Sequence, residues 1–173
     1  AVSSAPPAQS MAVQGPLRPP IIGRNAGVSA GHPLTTAAAL EILQQGGNAF
    51  DAIVAVAAAL NVVEPYMSGI AGVGYAIIYD AKNDRVRVLD YCGRTPHEAR
   101  ADLFDKETDK DHGPRSCLTP GACGGWLELL AQYGTMPAVK VFEPAIELAE
   151  KGYAVTVKNS EFMTNNGGRI YEN

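Results

Sequence analysis

Apolar positions recur at helical spacing from Pro33 onward. Leu34, Ala37, Ala38, Leu40, Ile42 and Leu43 form a broad stripe, and Gly46-Gly47 supplies the stop. Asn48 then reads as the N-cap of a second helix, about 49–61, with Asp51 in its first turn, where the helix dipole favours a carboxylate. This helix is apolar almost all round, which predicts burial between layers, and its alanines predict close packing. Pro65 ends the helical stretch. The glycine-rich turn Ser68-Gly69-Ile70-Ala71-Gly72-Val73-Gly74 leads into a short strand at 75–79, a turn at 81–84 and a return strand at 85–90. Arg85 and Arg87 alternate with Val86 and Val88, which predicts an antiparallel hairpin with one wet face and one buried face. Residues 100–115 are polar and read as a surface excursion. Pro120-Gly121 opens a helix at about 122–133 carrying Trp126, Leu127, Leu129 and Leu130. Another, at about 139–151, turns Phe142, Ile146 and Leu148 inward and ends at Gly152. Residues 158–173 show no periodicity, so no closing element is predicted there.

Residues 1–20 hold five of the 12 prolines and a single charge, Arg18. Such a stretch buries too little surface to offset its ordering entropy and reads as a mobile arm, separate from 21–173. It has neither a basic start nor an apolar segment, so it is not an intact signal peptide; a remnant of one or an appended sequence both fit. Across the chain, 173 residues with 46% apolar and 18% charged residues suffice for one buried core. A formal charge of −4, without basic clusters, argues against nucleic acid as a partner. The longest apolar run, Ala52 to Leu60, is far short of the ~18 residues of a membrane span.

The candidate chemistry is sparse. The glycine turn has the order G-x-x-G-x-G and sits after a helix and before a strand, the reverse of a dinucleotide loop, so phosphate binding is rejected. None of His32, His97 and His112 has a second ligand at metal spacing, and no metal or organic cofactor is expected. His32, just before a helix, reads as a local cap; His97 at a strand end reads as a cleft residue, and His112 as solvated. No G-x-S-x-G elbow is present. The three cysteines, Cys92, Cys117 and Cys123, have no disulfide or zinc spacing and read as small buried hydrophobes. The residues alone present no complete catalytic constellation.

One series of motifs is nevertheless specific. It runs from His32-Pro33-Leu34 through Gly46-Gly47-Asn48-Ala49-x-Asp51-Ala52, Val62-Val63-Glu64-Pro65 and Ser68-Gly69-Ile70 to the Gly72/Gly74 turn. It continues through Asp90, Pro96, Pro120-Gly121, Tyr133-Gly134-Thr135 and Pro144-Ala145-Ile146. This pattern, over about 24–157, closely resembles the γ-glutamyltransferase (γ-glutamyltranspeptidase) family. The resemblance implies an α+β fold, the four-layer αββα sandwich of N-terminal-nucleophile hydrolases, of which this chain carries only part. It also implies a precursor that cleaves itself, freeing the N-terminal threonine of a small subunit as nucleophile. That threonine attacks an amide and passes a γ-glutamyl or related small acyl group to water or an amine. The family's Thr-Thr-His junction is absent. Thr35-Thr36 follows a histidine at a helix start and is not that junction, so no catalytic residue is expected on this chain. Residues 21–173 would be the first part of a large subunit, its partners being the remaining large-subunit segment, the small subunit and a small acyl-amide substrate. The family and the proline-rich start point to export, to the periplasm or beyond, although cytoplasmic relatives exist.

One departure bears on substrate. The family's motif Asp-x-Arg-Glu-x-Ala-Pro supplies an arginine that grips the substrate α-carboxylate. Here the stretch reads Asp90-Tyr91-Cys92-Gly93-Arg94-Thr95-Pro96, so Cys92 stands at the arginine's position. A thiol does not replace a bidentate guanidinium. If strand geometry persists, Arg94 lies on the same side about 6.6 Å along and reaches back. Alternatively Arg94 is a solvated strand-end charge, the substrate lacks the γ-glutamyl head, as for acylase-like relatives, or the chain belongs to a catalytically silent binding homologue.

Overall fold

His32 starts the first helix, α1 (Pro33–Gln44): its backbone is extended and its ring Nδ1 accepts the Leu34 N–H at 3.2 Å. The computed structural model describes residues 21–104 and 113–168, so the arm at 1–20 and His112 lie outside the described residues. After α1, Gly46 adopts φ +94°, a left-handed turn that glycine enters without strain. The chain then doubles back into α2 (Ala49–Val63), whose N-cap Asn48 accepts the N–H groups of Phe50 and Asp51 while Asp51 accepts the Asn48 N–H. This reciprocal capping box satisfies donors that the first turn would otherwise leave unpaired.

Hairpin β1 (Tyr75–Asp80) and β2 (Arg85–Asp90) follows, antiparallel, with Tyr75 opposite Asp90 and Ile78 opposite Arg87. Single-turn helices at Ala101–Leu103 and Pro114–Ser116 flank an undescribed stretch. Then come α3 (Ala122–Tyr133), α4 (Ala138–Lys151) and α5 (Val157–Asn165). Helix α2 is the hub, packing on α1, α3 and α4. Ile42, Val54, Val63 and Val141 are fully buried, and Trp126 fills the space between α3 and the hairpin side of the core. Each such side chain contributes roughly 1.5–3 kcal/mol by leaving water.

Three expectations need correction. First, the hairpin's buried face is the opposite of the one its alternation suggested. Ala76, Ile78 and Leu89 turn toward the helices, whereas Val86 and Val88 join Tyr75, Ile77 and Tyr79 on an exposed face. Ile78 and Ala76 lie on the same face as Arg85 and Arg87, so the inward side is chosen by β1 and not by the valines of β2. Second, α4 buries Val141, Pro144 and Ala145 and leaves Ile146 half-exposed, a rotation of the stripe by about one position. Third, α5 does exist. Thr156 caps it by accepting the Asn159 N–H, and Asn159, fully buried, donates to the Val63 carbonyl at 2.6 Å and accepts the Tyr66 hydroxyl at 2.7 Å. Tyr153 donates to the Val62 carbonyl at 3.0 Å. The last carbonyls of α2 are thus met by side chains, and α5 is held by polar contacts that leave no apolar period to read.

At the other end of α2, Asp51 is fully buried and gathers a second knot. It accepts the Asn48 N–H, the Thr135 N–H, the Thr135 hydroxyl at 2.7 Å and the Met136 N–H. Asn48 Nδ2 adds a bond to the Tyr133 carbonyl at 2.7 Å. Burial alone raises the pKa of Asp51, but these hydrogen bonds, led by the Thr135 hydroxyl, outweigh it and hold the carboxyl below its ordinary value. The Gly-Gly-Asn-Ala-x-Asp and Tyr-Gly-Thr motifs, 84 residues apart between Asp51 and Thr135, are therefore two halves of one structural clasp.

Candidate functional site

Strand β2 ends at Asp90, and the ladder runs one residue further because the Tyr91 N–H donates to the Gly74 carbonyl at 3.0 Å. Asp90 Oδ1 accepts the Cys92 N–H at 2.8 Å, which turns the chain out of the strand. Residues 91–96 have no regular structure, so ladder pairing does not set Cys92 and Arg94 on a common side. They are held from the opposite flank instead. The Thr119 hydroxyl donates to the Arg94 carbonyl at 2.7 Å, and the Gly121 and Ala122 N–H groups both donate to the Gly72 carbonyl. The backbones pass so closely that a methyl on Gly93 would stand 1.5 Å from the Thr119 carbonyl oxygen. Only glycine fits such an approach.

Cys92 is half-buried and Arg94 is exposed. The interaction with the Cys92 thiol, and then the Asp90 carboxylate, raises the Tyr75 phenol above its ordinary pKa. The immediate surroundings of Cys92 are thus a thiol, a phenol and a carboxylate. The nearest cation in sequence is Arg94, and no carboxylate pairs with its guanidinium among the described residues. Beside this segment, a cleft of about 570 Å³ runs between α2 and β1, lined by Phe50, Ile53, Leu60, Tyr75, Tyr91 and Trp126. Ile53 is 49% exposed there, so α2 is not covered all round by the described residues.

The other candidates fall away from this place. His32 serves as the α1 cap, and Thr35, fully buried, donates its hydroxyl to the His32 carbonyl, a local helix-start role. His97 is exposed in a turn. Cys117 is exposed rather than buried, and Cys92 and Cys123 are only half-buried, which corrects the expectation of three buried thiols. Among the described residues no cluster of three His, Cys, Asp or Glu side chains could hold a metal ion. No described helix is long and apolar enough to cross a membrane. Sequence reasoning missed Tyr75, Tyr91 and Thr119. The signal for Tyr75 was the hairpin register, which sets it opposite Asp90 and so next to residue 92.

Residues 35–172 match the model of the gamma-glutamyltranspeptidase family. The chain belongs to that family. Its relatives include the Acylase ACY 1 proenzyme of Pseudomonas sp. (strain SE83), 40% identical over 87% of this chain and 29% of that protein. The glutathione hydrolase proenzyme of Bacillus subtilis (strain 168) is 37% identical over 78% of this chain and 24% of that protein. Among solved structures, Helicobacter pylori gamma-glutamyltranspeptidase superposes with a TM-score of 0.84 at 32% identity, over 89% of this chain and 46% of that one. The chain therefore spans less than a third of the length of these curated relatives. Its helices and small antiparallel sheet are part of the α+β fold of the γ-glutamyltranspeptidases.

Proposed function

We propose that residues 21–173 are the first part of the large subunit of a self-processing γ-glutamyltranspeptidase-family amidohydrolase, and that their share of the site is to hold the acyl head group. The nucleophile belongs to the remainder of the protein. The hydroxyl oxygen of its N-terminal threonine attacks the amide carbonyl, and its proton passes by way of the α-amine to the departing amine. The C–N bond breaks as an ester forms, and water or an acceptor amine then releases the acyl group. Family membership and relatives named as hydrolase and acylase proenzymes support this reading.

The observation that carries the head-group assignment is the segment 90–94. Cys92 occupies the arginine position of the family motif, and Arg94, exposed and without a carboxylate partner among the described residues, presents a guanidinium nearby. Arg94 thus grips the acyl carboxylate in a pose displaced along the chain. A second reading is favoured by the thiol, phenol and carboxylate grouped at Cys92 and by the similarity to Acylase ACY 1: an acyl group with no α-carboxylate. Release of nitroaniline from a γ-glutamyl anilide by the complete, self-cleaved protein separates the two. If Arg94 is the clamp, Arg94→Met raises KM about 10- to 150-fold, the equivalent of one charged hydrogen-bond pair. An unchanged KM refutes that role. Clean self-cleavage without γ-glutamyl release supports the acylase reading instead. The compartment this reading favours is the periplasm or the exterior, which fractionation of the producing cell tests.

A further inference from the structure

Three glycines from two parts of the chain converge on Tyr91, two on its ring and one on its backbone carbonyl. A methyl on Gly125, in α3, would stand 2.4 Å from Tyr91 Cγ; one on Gly74, in the turn before β1, 2.8 Å from Cε2. A methyl on Gly121 would stand 2.1 Å from the Tyr91 carbonyl oxygen. All three distances are too short for any real side chain, so the tyrosine fits only because these positions have none. Backbone bonds close the same socket: Tyr91 N–H to the Gly74 carbonyl, and Gly121 N–H to the Gly72 carbonyl, both at 3.0 Å. Tyr91 directly precedes Cys92 and lies three residues before Arg94, and that stretch has no ladder of its own to hold it.

We infer that Tyr91 is the positioning residue of the head-group subsite: its ring, seated between Gly74 and Gly125, with its carbonyl against Gly121, fixes where Cys92 and Arg94 stand relative to the substrate. This rests on the head-group reading of segment 90–94 given above. The ring acts by its shape. No hydrogen bond ties its hydroxyl to another described group, and the socket walls are glycine backbone. Displacing the substrate-holding groups weakens their hold on the bound head group, a loss that shows in KM rather than in kcat.

The test uses the complete, self-processing protein and a double-mutant cycle. Tyr91→Phe keeps the ring and is expected to match the parent in KM and kcat. Gly125→Ala, a change that favours helix in itself, pushes the ring out of its seat and is expected to raise KM about tenfold with kcat within about twofold. The added methyl would also stand 2.6 Å from Tyr91 Cβ, so the second background is Tyr91→Gly, which removes Cβ with the ring; there Gly125→Ala is expected to change KM by less than about twofold further. Equal effects of Gly125→Ala in both backgrounds overturn the proposal, as does a Tyr91→Phe variant as impaired as Tyr91→Gly. If Gly125→Ala does not self-process, Thr119→Val reads the same geometry from the opposite flank, with Thr119→Ser as its rescue. A KM unchanged by Thr119→Val then counts against the proposal. Arg94→Met run alongside separates the two levels. A KM raised by Arg94→Met but not by the socket variants sinks the positioning role alone. The reverse pattern sinks the Arg94 clamp and keeps the socket.

Discussion

Replacing Asp51 with asparagine is the sharpest test of the structural clasp. A carboxylate has about four lone-pair sites, and here four protein donors use them: the N–H groups of Asn48, Thr135 and Met136 and the Thr135 hydroxyl. An amide keeps one oxygen, so about two donors lose their acceptor, and the new NH₂ adds donors facing donors. With hydrogen bonds to a charged group worth roughly 1.5–3 kcal/mol each, and some relief from no longer burying a charge, the net loss is about 3–5 kcal/mol. That is a large share of a typical protein's ~5–15 kcal/mol. The assay is the denaturant midpoint of the complete protein and its Asp51→Asn variant, at pH 7 and again near pH 3. In the fold, hydrogen bonds outweigh burial and hold the carboxyl below its ordinary value. Its stabilisation is therefore complete above the unfolded pKa and fades as pH falls through the folded one. The gap between parent and variant should be wide at pH 7 and narrower near pH 3. A gap below about 1 kcal/mol at pH 7, or one that does not change with pH, refutes the reasoning.

Other outcomes follow from the same contacts. Asn159→Leu strands the Val63 carbonyl and the Tyr66 hydroxyl and should lower stability by about 1–3 kcal/mol, while Tyr66→Phe costs about 1 kcal/mol or less, both read by thermal melting. Gly134→Ala places a methyl 2.7 Å from the Leu130 carbonyl oxygen and 2.8 Å from Asp51 Oδ1, so a loss of about 1–3 kcal/mol is expected; a neutral result would mean that the α3–α4 turn yields freely. Cys92→Arg puts a guanidinium at the family's clamp position and should lower KM for a γ-glutamyl anilide about tenfold or more, whereas an unchanged KM would place the head group elsewhere.

Much of the fold was legible because its signals are local. Asn48 and Asp51 announced a helix start by their spacing, and the structure closes them into a capping box. Gly46 marked a stop and adopts the left-handed turn. What escaped was decided by partners distant in sequence. The inward side of β1 and β2 depends on where α2 and α3 lie, and the valines of β2 carry no record of that. Helix α5 depends on Asn159 reaching Val63, a contact across 96 residues. At the candidate site, Cys92 and Arg94 could be picked out by position within a motif. The ring that seats them could not, because its evidence is the absence of side chains at Gly74 and Gly125, in two segments far apart in sequence. The Tyr-Gly-Thr motif was visible as a resemblance, but its purpose, receiving the Asp51 carboxylate, needed the tertiary contact.

The outward face of the hairpin has a consequence for handling and for synthesis. Tyr75, Ile77, Tyr79, Val86 and Val88 stand together in water, each 60–80% exposed, on a two-stranded ribbon whose outer edges have no strand beside them among the described residues. Such a ribbon is a template for copies of itself. A recombinant piece limited to these residues should therefore form β-rich aggregates above some threshold concentration. The helical half, closed by α2, would stay intact inside them.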